Sequence, residues 1–137
     1  MAVAALAACT QKSEVTLMNA DDFKTVVDGK EVGLYTLKAG DITMQVTNFG
    51  ARVVSLWTPD KDGNMADVVL GYPDPMSYFG DGPCAGKVPG RYANRVALGK
   101  FTLDGVEYTL PINNGPNHLH GGPEGFQNKV WESRENE

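Results

Sequence analysis

From Val32 onward the apolar residues recur at every second position, a period that commits this stretch to strands rather than helices. Ile42, Met44 and Val46 alternate with Thr43, Gln45 and Thr47, the pattern of a half-buried strand. Leu34 to Lys38 precedes them across an Ala39-Gly40-Asp41 turn. A second run, Ala51 to Trp57, follows the interruption at Asn48-Phe49-Gly50. The turn from Pro59 to Asn64 leads to a short apolar strand, Asp67 to Leu70. Lys100 to Leu103 and Val106 to Leu110 flank Asp104-Gly105, the strongest short hairpin signal. Val130-Trp131-Glu132 reads as one more strand. Sixteen glycines and eight prolines fit many turns between short strands. The expected fold class is all-β, with residues 32–137 as one domain.

The preceding residues read differently. Residues 10–31 form a polar tether. In it Asn19 or Asp21 could cap a short helix that puts Phe23, Val26 and Val27 on one face and ends at Asp28-Gly29. Residues 1–9, MAVAALAAC, end in Leu6-Ala7-Ala8-Cys9, which resembles the lipobox of bacterial lipoproteins. That resemblance implies cleavage before Cys9 and lipidation of its thiol. The chain would then touch a membrane only through that lipid, in the cell envelope, lipid-anchored or periplasmic. The other reading is a plain Ala-rich start on a cytoplasmic chain. With Cys9 modified, Cys84 is a lone thiol, a residue type usually buried as a small apolar side chain. Twelve Lys and Arg against 17 Asp and Glu give a net charge of −5, which argues against a nucleic-acid partner.

Two clusters could carry chemistry. His118 and His120 sit in Asn117-His118-Leu119-His120-Gly121-Gly122, and an extended backbone would turn both to one face. Such a pair could begin a metal site, be satisfied by backbone carbonyls, or recognise a polar ligand. In Gly90-Arg91-Tyr92-Ala93-Asn94-Arg95-Val96, alternation would place Arg91, Ala93 and Arg95 opposite Tyr92, Asn94 and Val96. Asn94 and Arg95 together make a dense set of donors for hydroxyls, carboxylates or phosphates, unless the arginine pairs with a surface carboxylate. The irregular stretch 71–90 holds four prolines and five glycines, and long loops of this kind are often functional.

Together the motifs are more specific than any one of them. Asn48-Phe49-Gly50-Ala51-Arg52, the Gly90–Arg95 element, Gly99-Lys100-Phe101-Thr102-Leu103-Asp104-Gly105, the Asn113–Gly122 element, Gly125-Phe126 and Trp131 follow in order. This series resembles the aldose 1-epimerase (galactose mutarotase) family from about Val32 to Trp131. The resemblance implies the N-terminal part of a large antiparallel β-sandwich, the galactose mutarotase-like supersandwich, left incomplete here. It implies a free hexose such as galactose or glucose as substrate, anomer interconversion as the reaction, and neither metal nor organic cofactor. By motif, Asn94 and Arg95 match sugar-binding positions, and Arg91 and His120 are expected to bind the substrate with them. His120 matches the histidine near the ring oxygen. The 71–90 loop would line the cleft, and Tyr78, Phe79 or Phe126 could stack on the sugar or simply pack. The family's glutamate base and second histidine find no match in this chain. The expectation is therefore a truncated epimerase, inactive alone. The alternatives are a non-catalytic carbohydrate-binding module and an inactive fragment.

Overall fold

The computed structural model describes residues 14–79 and 85–134. Both cysteines, and with them the lipidation of Cys9, lie outside those residues. The described chain is all-β and antiparallel, with only single-turn 3-10 segments between strands. Four strands form the main sheet in sequence order: β3 (Leu34–Ala39), β4 (Ile42–Thr47), β5 (Arg52–Pro59) and β6 (Met65–Asp67). Three two-stranded pairs surround it. They are β1 (Thr25–Val27) with β2 (Lys30–Val32), β7 (Arg95–Val96) with β10 (His118–Leu119), and β8 (Lys100–Leu103) with β9 (Val106–Thr109).

Local chemistry explains where the sequence reading holds and where it fails. The Asp104-Gly105 hairpin forms as expected, with both residues at positive φ (50° and 78°) as a tight hairpin turn requires. The short helix expected over residues 19–29 does not form. Asn19 caps only a 3-10 turn, Ala20–Phe23, and its side chain accepts from the Asp21 N–H. Val26 and Val27 then enter a strand, because Asp28-Gly29 is a second hairpin turn of the same kind (φ 51° and 74°) and pairs β1 with β2. The strand expected at 67–70 lies earlier, at Met65–Asp67. Asp67 itself stops it: its carboxylate accepts the N–H groups of Leu56 and Val69, at 2.9 and 3.0 Å, where a longer ladder would have run. Residues 130–132 contribute a single bridge, Phe49 to Val130, rather than a strand.

The sheet has an unexpected inside. β4 buries Thr43, Gln45 and Thr47, while Ile42 is 45% exposed and Met44 and Val46 are only half-buried. The polar face is closed because Gln45 behaves as a peptide group. Its Oε1 accepts the Met18 N–H at 3.0 Å and its Nε2 donates to the Met18 carbonyl at 2.9 Å. A chain segment thus pairs with a side chain as it would with a strand, and the buried amide is satisfied. The register slip between Gln45 and Val46 leaves Val54 as an extra residue in β5, turned into the core.

Two small apolar clusters hold the rest. Phe23, Leu34, Val54 and Tyr78 form one, and Val32, Phe49 and Val130 the other, with Phe79 packed against both. Tyr78 is fully buried, and its hydroxyl accepts the Tyr72 N–H at 2.8 Å. It is therefore core, not a platform for a sugar. Arg52 is also fully buried, its guanidinium 6.0 Å from the Phe49 ring centre and 5.8 Å from that of Tyr78.

Candidate functional site

The second half of the chain is built around asparagines that stand in for strands. The Asn113 side chain accepts the Leu119 N–H at 2.7 Å and donates to the Leu119 carbonyl at 3.0 Å. Asn117 Oδ1 accepts the N–H of Leu98, itself at φ 52°. These contacts let a loop of short polar residues hold β10 against β7 with little apolar burial.

At the end of that pair Asn94 and His120 brace each other. The Asn94 N–H donates to His120 Nδ1 at 2.9 Å, and the His120 N–H donates to the Asn94 carbonyl at 3.0 Å. Both residues hold left-handed backbones, φ 62° and 51°, rare for side chains other than glycine and frequent at ligand sites. Because the Asn94 N–H can only donate, Nδ1 must accept. The proton of the neutral imidazole therefore sits on Nε2, away from this contact. Arg95 is fixed by two acceptors: its Nε donates to Asn114 Oδ1 at 2.8 Å and its Nη1 to Asn94 Oδ1 at 3.1 Å. With Asn94 Oδ1 so engaged, the Asn94 amide points its donor elsewhere. The remaining arginine N–H groups, the Asn94 amide and His120 Nε2–H make a cluster of donors on a partly exposed edge. Such a cluster suits oxygen atoms of a neutral polyol or a developing alkoxide.

The structure brings Asn94, Arg95 and His120 together, and it corrects the strand pattern drawn through 90–96. Only Arg95 and Val96 are extended as a strand, because Asn94 reverses the backbone. Arg91 is elsewhere: its guanidinium lies 5.0 Å from the Phe126 ring centre. There it lines a cleft of about 620 Å³ with Tyr92, His118 and Glu124, and Phe126 lends its face to Arg91. His118 and His120 do not share a face. His118 is buried, and its Nδ1 donates to the Pro111 carbonyl at 2.7 Å. The following glycines make room: a side chain at Gly122 (φ 75°) would meet the His118 ring at 3.0 Å. Among the described residues no group of three or more His, Cys, Asp or Glu could hold a metal ion. Nor does any described carboxylate hydrogen-bond to Arg95 or His120. Nearby, Glu124 pairs with Lys129, and the ammonium holds its carboxyl below the usual carboxylate range.

Asn114 was not singled out by the sequence reading, although it fixes the Arg95 side chain. The signal available was compositional, three asparagines within five residues of one loop.

Comparison with known proteins adds an independent line. The family model described as aldose 1-epimerase matches residues 33–137. Galactose mutarotase from Bos taurus is 43% identical over 100 residues, 73% of this chain and 29% of its own length. Aldose 1-epimerase from Escherichia coli is 38% identical over 107 residues, 77% of this chain and 31% of its own. Among solved structures, an aldose epimerase homologue from C. elegans superposes with a TM-score of 0.69 at 36% identity, over 77% of this chain and 33% of that one. Galactose 1-epimerase from Lactobacillus acidophilus gives 0.66 at 29% identity, over 79% and 31%. The chain thus spans about a third of the length of the relatives it matches.

Proposed function

Given that the chain belongs to the aldose 1-epimerase family, we propose that it carries the sugar-holding part of an enzyme that interconverts the α and β anomers of free hexoses such as galactose and glucose. The observation that carries this reading is the Asn94–Arg95–His120 cluster, with the imidazole proton on Nε2. Anomer exchange needs a base to take the proton of the anomeric hydroxyl and an acid to serve the ring oxygen as the ring opens. His120 Nε2–H and the Arg95 guanidinium are donors, so they suit the ring-oxygen side, where negative charge develops. Asn94 would hold a neighbouring hydroxyl. The base and the second histidine would come from the remaining two-thirds of a family member, so the isolated 137-residue chain would bind sugar and not turn it over.

A second reading, a non-catalytic carbohydrate-binding module, is favoured by one observation: no described carboxylate bonds into the cluster. Polarimetry on freshly dissolved α-D-galactose separates the two. The 137-residue chain should leave the spontaneous rate unchanged. The same chain joined to the remaining two-thirds of a relative should accelerate it. Acceleration by the short chain would refute the division of labour. Inactivity of both, with sugar affinity retained, would favour the binding module. Separately, from the lipobox resemblance of Leu6-Ala7-Ala8-Cys9, we propose that the chain sits at the bacterial cell envelope through a lipid on Cys9. Metabolic labelling with a fatty-acid probe tests that, and unlabelled protein that stays in the cytoplasm refutes it.

A further inference from the structure

We propose that Asn114 is a deamidation site, and that its conversion to aspartate or isoaspartate weakens Arg95 as a donor. Of the chain's asparagines only Asn114 precedes a glycine. The residue after an asparagine supplies the attacking nitrogen, and glycine, lacking a Cβ, leaves that nitrogen open. The Gly115 nitrogen loses its proton to water and bonds to Asn114 Cγ. The Cγ–Nδ2 bond then breaks, and Nδ2 takes a proton from water and leaves as ammonia. The five-membered succinimide so formed takes up one water. Opening at Cγ gives aspartate. Opening at the main-chain carbonyl gives isoaspartate, whose main chain is longer by a methylene group.

The local geometry serves each part of this reaction. Asn114 and Asn117 close a two-residue turn through two main-chain hydrogen bonds, both 3.0 Å. Gly115 stands first in that turn at φ 55°, a value Pro116 beside it could not adopt. Gly115 is exposed, and a Cβ there would meet nothing within 4 Å. Its N–H makes no hydrogen bond among the described residues, so base reaches it freely. Asn114 Oδ1 accepts from Arg95 Nε at 2.8 Å, which draws electron density from Cγ, the carbon under attack. The leaving nitrogen, Nδ2, has no partner among the described residues. The two turn bonds act as a brake, but an exposed turn opens at small cost. Aspartate at this position would pair its carboxylate with Arg95 and set a negative charge beside the donors that face the ring oxygen. Isoaspartate would carry the acceptor away from Arg95 Nε. Only this effect on sugar rests on the epimerase reading, because the modification itself needs no substrate.

The test reads mass first and turnover second. The folded 137-residue chain is incubated at mildly alkaline pH and digested with trypsin, and the 101–129 peptide is sequenced by mass spectrometry. A gain of about one dalton should accumulate at residue 114 ahead of Asn113, Asn117 and Asn128 in the same peptide. Asn114→Gln should lose the gain at that position, because glutamine would have to close a less favourable six-membered ring and leaves the turn residues untouched. No gain in the folded chain, with a gain in the urea-unfolded one, would mean that the turn protects Asn114, and this overturns the proposal. So does a gain that starts at a neighbouring asparagine. The product variant, Asn114→Asp, is then made in the chain joined to the remaining two-thirds of a relative. Its kcat for mutarotation should fall about tenfold, with circular dichroism unchanged, as the donor to the ring oxygen weakens. An Asn114→Asp rate equal to the parent's overturns the claim on Arg95. Deamidation at residue 114 without mutarotation by the joined parent would refute the catalytic reading alone.

Discussion

Replacing Asn48 by alanine should loosen the joint between the two halves of the chain, and the structure sets the size of the effect. The Asn48 side chain accepts the Gly33 N–H at 2.9 Å and donates to the carbonyls of Glu31 at 3.0 Å and Trp131 at 3.2 Å. One buried amide thus ties the β2–β3 connection to the segment that follows the site loop. A net contribution of about 1 kcal/mol per hydrogen bond gives roughly 3 kcal/mol for the three. The stranded Gly33 N–H adds little, because Gly33 is half-buried and water can replace part of the loss. With a urea slope of about 2 kcal/mol/M, the midpoint should fall by roughly 1.5 M at constant slope. Asn48→Asp is the sharper control. It keeps an acceptor for Gly33 but turns a carboxylate oxygen towards two carbonyls, so it should be at least as damaging as alanine. Urea titration followed by circular dichroism at neutral pH measures both variants. A midpoint shift under about 0.5 M, or an aspartate variant more stable than the alanine one, would refute the account of Asn48 as a donor to both carbonyls.

Other expectations follow from single contacts. Gly50 sits at φ 72° with a space that a Cβ would have to share with the Gln127 carbonyl, so Gly50→Ala should destabilise by about 1–3 kcal/mol, read by thermal unfolding. Burial pushes the Tyr78 phenol up from its ordinary value. Its neutral form is favoured by folding, so that stability is complete below pH of about 10 and is lost as the pH rises through the folded-state value. Tyr78→Phe should therefore flatten the alkaline limb of a stability–pH curve, and an unchanged limb would contradict this. The Asp60 carboxylate accepts the N–H groups of Asn64 and Asp62, which hold it below the ordinary carboxylate value. The 59–64 turn should accordingly stay ordered until the pH falls below the usual carboxylate range, and an unshifted Asp60 titration by NMR would argue against that. In the chain joined to the remaining two-thirds of a relative, on the proposed epimerase reading, His120→Phe should lower kcat about 100-fold by removing a donor to the ring oxygen. A change in KM alone would mean that the imidazole only binds.

What could be read from the sequence depended on whether the signal was local. Asp104-Gly105 announces its own hairpin, because the turn conformation is written in two residues. Asp28-Gly29 carries the same dipeptide, yet Phe23, Val26 and Val27 suggested a helical face that the hairpin overrides. The alternation in β4 correctly gave a strand but not which side is covered. That depends on Met18, 27 positions from Gln45. At the site, the ordered motifs placed Asn94, Arg95 and His120 together. Pattern alone missed the reversed backbone at Asn94, since only a small fraction of asparagines take it, and so put Arg91 and Arg95 on one face. Asn114 escaped notice because its role is a single contact to Arg95 across 19 positions.

The mutual grip of Asn94 and His120 bears on how a sugar would be met. Loops ordinarily surrender freedom when a ligand arrives, at about 0.5–1.5 kcal/mol for each side chain that must be immobilised. Here the imidazole is oriented by main-chain bonds and the guanidinium by two neighbouring amides before any sugar is present. For three such side chains the entropy already surrendered in folding is roughly 2–4 kcal/mol. Affinity for a small, heavily hydrated molecule can then come from a few hydrogen bonds, without a lid or a deep apolar pocket to supplement them.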